Sequence, residues 1–279
     1  MIELTGRWAL ILGVSSGMGR ATALALADVG VNVIGVHFDT ALVAESVTEL
    51  VADLESRGVK ACFFNMNAAS DRTRAELVPR VGELTGGEGV HIVMHSLAFG
   101  TLVPFLPRGG AEERLSRRQL EMTVDVMAHS LVYWVQDLAA AGLLSRGGKV
   151  FAMTSAGDVQ ALPSYGAVSA AKCALDAHVR QLACELAPFD IAVNALRAGV
   201  TITRSLQRIP EHGEFVEGVA RSHPFGRLTR PEDVAEAIVL LSRAGSSWIT
   251  GNVIGVDGGE LVATGSAWGP AAGTTESRS

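Results

Sequence analysis

The chain of 279 residues is poor in sulfur, in aromatics and in long apolar runs. Its three cysteines, Cys62, Cys173 and Cys184, form no CxxC pair and leave an odd thiol over. That argues against a disulfide framework and predicts buried free thiols in a reducing cytoplasm. The histidines show neither HxH nor HExxH spacing, so no metal site is expected. No apolar stretch approaches the roughly 20 residues of a membrane span, and the first glycines arrive too early for a signal peptide. A net charge of −6 removes the basic footprint that broad nucleic-acid binding requires. Internal repeats are lacking as well. What is present is 48% hydrophobic residues against 19% charged, the composition of a globular chain able to bury a large core. Glycine is plentiful, as turns that bring backbone close to a ligand require.

Strand and helix signals alternate along the chain. Trp8 to Leu12 is a short apolar run that reads as a buried parallel strand. It feeds Gly13-Val14-Ser15-Ser16-Gly17-Met18-Gly19 and then a helical stretch from Arg20 to Val29. A strand entering a glycine turn at a helix N-terminus is a pyrophosphate cradle, because backbone N–H groups approach the anion and the helix dipole favours it. Gly13, Ser15, Ser16, Gly17, Met18 and Gly19 are therefore candidate cofactor contacts. A second strand, Val31 to Val36, ends at His37-Phe38-Asp39, where adenine-ribose selection takes place. Asp39 suits a free 2′-hydroxyl, and neither Ser16 nor the span from His37 to Glu45 offers an Arg or Lys for a 2′-phosphate. NADH is favoured over NADPH on that ground. A phosphate on His37, or Asp39 as a helix N-cap, are the alternatives.

Helices are expected over Thr40 to Arg57 and Thr73 to Leu84, with strands at Lys60 to Met66 and Val90 to Met94. Asn67 and Ala68 would border the adenine, and His95-Ser96-Leu97-Ala98 follow the fourth strand. A long helix is expected from Leu120 to Leu144, strands at Gly147 to Met153 and Ile191 to Leu196, a helix from Pro231 to Arg243, and a last strand from Ile249 to Val256. The rhythm implies an α/β chain: one Rossmann-like, doubly wound parallel sheet of about seven strands with helices on both faces. Its ligand crevice lies at the carboxyl ends of the strands. One domain is expected over 1–263, with a substrate lid at about 200–226 and a disordered tail at 264–279.

Tyr165 and Lys172 stand seven residues apart between Pro163 and Pro188. On an α-helix that is two turns, about 10 Å of rise and almost no rotation. Phenol and ammonium then share a face, while Val168, Ala171, Leu175, Val179, Leu182 and Leu186 supply the buried stripe. A nearby cation is expected to lower the phenol's pKa and make Tyr165 a proton donor. The bland alternative is a core helix with a half-exposed Tyr and a snorkelling Lys.

The joint order of Gly13, Gly17 and Gly19, of Val193-Asn194-Ala195 with Ala198-Gly199, of Ile249-Thr250-Gly251 and of Val256-Asp257-Gly258-Gly259 resembles the short-chain dehydrogenase/reductase family over about residues 5 to 263. Ordinary members place the catalytic Tyr four before the Lys, where this chain has Val168. A Tyr seven before the Lys resembles the enoyl-thioester (enoyl-acyl-carrier-protein) reductase branch, and so does His95-Ser96-Leu97-Ala98-Phe99. Met127 stands where ordinary members carry a proton-relaying Asn. Ser155 takes the place of the branch's second Tyr, at the position of the substrate-orienting Ser of ordinary members, and the glycine turn is of the ordinary type. The chain thus resembles a divergent member of the branch.

The resemblance implies NAD(P)H-dependent reduction of the C2–C3 double bond of an α,β-unsaturated acyl thioester, carried on acyl carrier protein or coenzyme A, in fatty acid or polyketide biosynthesis. It implies a catalytic set of Tyr165, Lys172 and Ser155, with Lys172 also on the nicotinamide ribose. Gly199 and Val200 would hold the nicotinamide, Thr203 would lie near the phosphates, and Ser96, Leu97 and Ala98 would line the cofactor. Arg204, Arg208 and Arg221 are offered to the phosphates of the carrier; a solvated basic face is the alternative. For Ser155 the alternative is a strand-end hydroxyl bonded to backbone. A homotetramer is the family habit. Two other functions stay open: a carbonyl reductase or alcohol dehydrogenase of the same family, and a nucleotide-binding protein without turnover.

Overall fold

A strand covered on both faces is apolar throughout instead of alternating, and the short apolar runs of this chain pair accordingly. β1 (Trp8–Leu12), β2 (Asn32–His37), β3 (Ala61–Asn65), β4 (Val90–His95), β5 (Leu144–Ser155), β6 (Ala192–Ala198) and β7 (Val253–Val256) form one parallel sheet in the order β3-β2-β1-β4-β5-β6-β7. These are the strands of a computed structural model that describes residues 2–107, 114–202 and 212–263. The helices are α1 (Gly17–Ala27), α2 (Ala44–Ser56), α3 (Asp71–Leu84), α4 (Arg117–Val124), α5 (Ser130–Ala140), α6 (Gly166–Leu186), α7 (His212–Ser222) and α8 (Pro231–Ser242).

The two faces are covered separately. Side chains of α3, α5 and α6 pack over Leu10, Leu12, Val93, Val150 and Val193. Those of α1, α2 and α8 pack over Ala9, Ile11, Ile92, Phe151 and Leu196. The strand order reverses between β1 and β4, and at such a switch point the flanking loops part and leave a crevice at the carboxyl edge. Trp134 of α5 is fully buried, and its Nε1–H donates to the Ala68 carbonyl at 2.7 Å, tying that helix to the segment after β3.

Three expectations are corrected. The long helix from Leu120 to Leu144 is interrupted by a π turn at Asp125–His129, and Gly142, at φ 69°, stops α5 so that Leu144 already belongs to β5. Apolar spacing does not register the one extra residue of a π turn. The last strand is shorter than the apolar run. Gly251 sits at φ 74°, and Asn194 takes over the local pairing, donating to the Ile249 carbonyl at 2.8 Å and accepting from the Asn252 N–H at 3.1 Å. The three thiols are free, but Cys173 and Cys184 are exposed and Cys62 only half-buried. Of the expected lid, residues 203–211 lie outside the described residues and α7 follows them; the expected tail, 264–279, lies outside as well. No described helix is long and apolar enough to cross a membrane.

Replacing Trp134 by Phe removes the donor to a buried carbonyl. The expected cost is about 1–3 kcal/mol, read as a lower urea midpoint at unchanged slope; an unchanged midpoint would contradict this account of the α5 anchor.

Candidate active site

The cradle comes first, because its geometry is forced by backbone contact. Gly13 leaves β1 at φ 92°, a conformation open to glycine and costly for other residues. A Cβ there would lie 2.4 Å from the Ser96 carbonyl oxygen, and one on Gly19 would lie 2.0 Å from the Gly13 carbonyl oxygen. The first turn of α1 is therefore pressed onto the loop that precedes it. Ser16 at its N-cap makes no side-chain bond to the helix, so the first amides of α1 have no side-chain cap; Ser15, Gly17 and Met18 flank them. Such an end accepts an anion.

At the tip of β2, His37 Nδ1 and Asp39 Oδ2 are 3.0 Å apart. Asn65 holds Asp39 from both sides, its Oδ1 accepting from the Asp39 N–H and its Nδ2 donating to the Asp39 carbonyl, each at 3.0 Å. The N-cap alternative for Asp39 does not form, since Thr40 precedes the short turn Ala41–Val43 and Val43 precedes α2. Asn67 closes its own turn, accepting from Ala69 N–H at 3.0 Å, and Ala68 is buried. Ser96 continues the sheet by donating its N–H to the Leu12 carbonyl at 2.9 Å, with the Leu97 side chain against Gly13 and Ala98 exposed beyond. These groups offer what a dinucleotide requires: an open helix end, a side-chain-free approach at two glycines, and an acid at the tip of β2.

The second half of the site lies on β5, β6 and α6. Tyr165 is not inside the helix, as two-turn spacing suggested. It is the N-cap of α6, at φ −93° and ψ 2°, following Ser164 at φ 58°, and its carbonyl accepts from Ser169 N–H at 2.9 Å. Its ring lies against Gly157, where a Cβ would be 2.6 Å from Cε1 and 3.5 Å from Ser155 Oγ. Ser155 bonds no backbone group; the phenol is its neighbour.

The expected depression of the phenol by Lys172 is corrected too. Burial raises the Tyr165 pKa, and the Ser155 hydroxyl opposes this in part. Lys172 is buried and donates its Nζ to the Met153 carbonyl at 2.7 Å. Burial pulls its pKa down to about 8, against the pull of Asp176 and Asp158. The phenol is thus held neutral, with its proton on, while Lys172 is a buried cation bonded to the β5 backbone. His95 is buried as well, within reach of the Lys172 charge. Ser130 gives its own proton to the Val126 carbonyl at 2.8 Å, so His95 Nε2, 2.8 Å from Ser130 Oγ, is the donor of that pair. Burial, aided by the Lys172 charge, lowers the His95 pKa to about 3.

At the end of β6, Gly199 leaves no room for a side chain: a Cβ would stand 2.4 Å from Thr229 Oγ1 and 2.8 Å from Glu260 Oε2. The Val200 N–H donates to Glu260 at 2.9 Å. Thr203, Arg204 and Arg208 lie outside the described residues, while Arg221 pairs with Glu217 on an exposed face at 3.6 Å. Sequence reasoning missed Glu260, Gly157 and the acids Asp158 and Asp176. The available signals were an acid directly after Gly258-Gly259 and another one helical turn past Lys172.

The model of the family described as Enoyl-(Acyl carrier protein) reductase matches residues 13–260. The 2,5-dichloro-2,5-cyclohexadiene-1,4-diol dehydrogenase of Sphingobium indicum is 30% identical over 266 residues, covering 93% of this chain and 98% of the relative. The 1-cyclohexenylcarbonyl-CoA reductase of Streptomyces collinus is 30% identical over 260 residues, covering 90% and 85%. Among solved structures, the enoyl-[acyl-carrier-protein] reductase (NADH) of Aquifex aeolicus superposes with a TM-score of 0.80 at 25% identity, covering 94% of this chain and 98% of that one.

Gly157→Ala drives a methyl group into the Tyr165 ring. The expected result is a loss of turnover of about tenfold or more, as for a displaced catalytic group, at unchanged dinucleotide affinity by fluorescence titration. Full turnover would show that the phenol's seat on Gly157 is immaterial.

Proposed function

This chain belongs to the short-chain dehydrogenase/reductase family, and from that premise we propose that it reduces the C2–C3 double bond of an α,β-unsaturated acyl thioester. One observation carries the reading: the phenol seven residues before Lys172 comes from the helix N-cap, while the position four before the lysine is Val168, buried and apolar. The chain's other tyrosine, Tyr133, is on α5 beneath the Arg74 guanidinium, 4.9 Å from its ring centre. Reduction of a ketone calls for a donor at the oxygen of the carbon that receives hydride. Reduction of a conjugated double bond gathers charge on an oxygen two bonds farther from that carbon. A donor drawn back by three residues, about 4.5 Å of helix rise, suits the second case.

NAD(P)H would be held by the Gly13–Gly19 turn, Asp39, Asn67, Ala68, Ser96, Leu97, Ala98, Lys172, Gly199, Val200 and Thr203, and when bound it supplies a hydride for the β-carbon. Tyr165 donates its phenolic hydrogen to the thioester oxygen as charge develops there, and Ser155 adds a second hydrogen bond. Lys172 would bind the nicotinamide ribose and add its positive charge to the site. Phe99, Phe105, Leu106 and Ile202 are exposed, and the Phe105 ring packs on Gly166 beside Tyr165. An exposed apolar rim of this kind suits an acyl chain.

Asp39, with its carboxylate fixed at the ribose end, supports NADH over NADPH. The same reading takes 1–263 as one reductase domain with a lid at about 200–226, a thioester of acyl carrier protein or coenzyme A as substrate, and a cytoplasmic homotetramer as the working form. Ser155 beside the phenol also favours a second reading, NAD(P)H-dependent reduction of a carbonyl, and the similarity to a diol dehydrogenase agrees with it.

Purified protein with NADH and crotonyl-CoA is expected to consume NADH, and to leave a β-ketoacyl thioester untouched; the same assay with NADPH reports the cofactor choice. Consumption with the ketone alone would overturn the reading. Tyr165→Phe is expected to lower kcat by about 100-fold or more at nearly unchanged NADH affinity, and full activity in that variant would remove the phenol from the mechanism.

A further inference from the structure

β6 ends beside the hydroxyl of the site, and an acid from the far end of the chain is bonded there. In the β5–β6 register Ser155 pairs with Ala198, so Gly199 and Val200 come directly after the partner of Ser155. The Val200 N–H is taken by Glu260: Oε2 accepts from it at 2.9 Å, and Oε1 stands at 3.2 Å. Gly199 makes this approach possible, since a Cβ there would lie 2.8 Å from Oε2. Both carboxylate oxygens thus converge on a backbone group with a single hydrogen to give.

A built turn delivers the acid. Asp257 Oδ1 accepts from Gly259 N–H at 3.0 Å and Oδ2 from Leu261 N–H at 3.2 Å, while its carbonyl accepts from Glu260 N–H at 3.0 Å. His223, directly after α7, clasps the same turn. Its Nδ1 accepts from Phe225 N–H at 3.1 Å, so Nε2, 2.9 Å from the Asp257 carbonyl, is the donor there. The backbone of the turn is fixed on three sides, and the Glu260 side chain is its movable part. Among the described residues the Val200 N–H is the one donor that side chain meets. Burial raises the Glu260 pKa, and the Val200 bond draws it partly back. A half-buried carboxylate on one neutral donor gains hydration by leaving, so a ligand able to use that donor displaces it.

We propose, on the reading of Gly199 and Val200 as the nicotinamide seat, that Glu260 is a latch on that seat: its carboxylate holds the Val200 N–H until the carboxamide of the dinucleotide takes that donor. A carboxamide oxygen brought to the same hydrogen meets two acceptor oxygens that repel it, so the two occupants exclude each other. The glycine turn after β1 and Asp39 after β2 belong to the other half of the sheet and stay free of the latch. The latch lowers the apparent affinity of a dinucleotide that carries nicotinamide, in proportion to the fraction of molecules in which it is open. Fragments without nicotinamide bind as before.

The test compares NADH with ADP-ribose, which has the adenine, riboses and phosphates but no nicotinamide, by fluorescence and calorimetric titration. Glu260→Ala is expected to bind NADH about tenfold more tightly than wild type, the effect of a latch closed about nine times in ten, and to bind ADP-ribose unchanged. Glu260→Gln keeps the size and a neutral acceptor, and should fall between the two. Equal NADH affinity in all three proteins overturns the proposal. Weaker binding by the variants overturns it too, and makes Glu260 a ligand of the cofactor. A gain shared by ADP-ribose does the same, since the acid would then act on the phosphates by charge alone.

Amide exchange resolved to Val200 tests the seat apart from the latch. Without dinucleotide, the Val200 N–H should be protected in wild type and lose that protection in Glu260→Ala; NADH, but not ADP-ribose, should restore it. An amide left unprotected in the NADH-bound variant refutes the seat together with the latch. An amide protected by NADH at wild-type affinity leaves the seat standing and removes the latch. Should Glu260→Ala fail to fold, the isosteric Glu260→Gln carries both measurements.

Discussion

The buried ammonium of Lys172 is the constraint around which the carboxyl edge of the sheet is arranged. An ion taken out of water is tolerated only with hydrogen bonds and compensating charge close by. The end of β5 supplies the first through the Met153 carbonyl, and Asp176 and Asp158 supply the second. Those acids in turn require Arg197 from β6. A single cation thereby binds two strands, a turn and a helix into one electrostatic unit, and the N-cap of that helix carries the phenol.

In the proposed reaction the phenol serves as donor by being kept neutral. Its seat on Gly157, beside Ser155, is largely withdrawn from water, so phenolate is disfavoured at rest and charge is welcomed only as it develops on a neighbouring oxygen. Across the switch point the opposite design holds, with backbone and little side chain around the cradle at Gly13 and Gly19. At the end of β6, Glu260 holds the Val200 amide.

Much of this was legible in the sequence. Unbroken apolar runs such as Trp8–Leu12 specify strands covered on both sides, and the strand–glycine–helix punctuation fixes the cradle. The seven-residue interval between Tyr165 and Lys172 marked the two as a candidate pair. It misled on the phenol's environment, because helical geometry was carried one residue too far: Ser164 adopts φ 58°, a conformation that non-glycine residues seldom take, and puts Tyr165 outside the helix. The π turn at Asp125–His129 and the early end of the β7 pairing were hidden for a similar reason, since one inserted residue or one side-chain bond leaves the apolar pattern intact. The acid pair was beyond reach. Asp158, Asp176 and Arg197 are brought together only by the packing of α6 on the sheet, an arrangement that belongs to none of the residues alone.

The most direct test of the account follows the hydride. With NADH deuterated at the transferring position of the nicotinamide and an enoyl thioester as substrate, deuterium should be found on the β-carbon of the saturated product. An unreacted enoyl thioester, together with deuterium on the carbinol carbon of a hydroxyacyl product formed from a ketoacyl thioester, would contradict it.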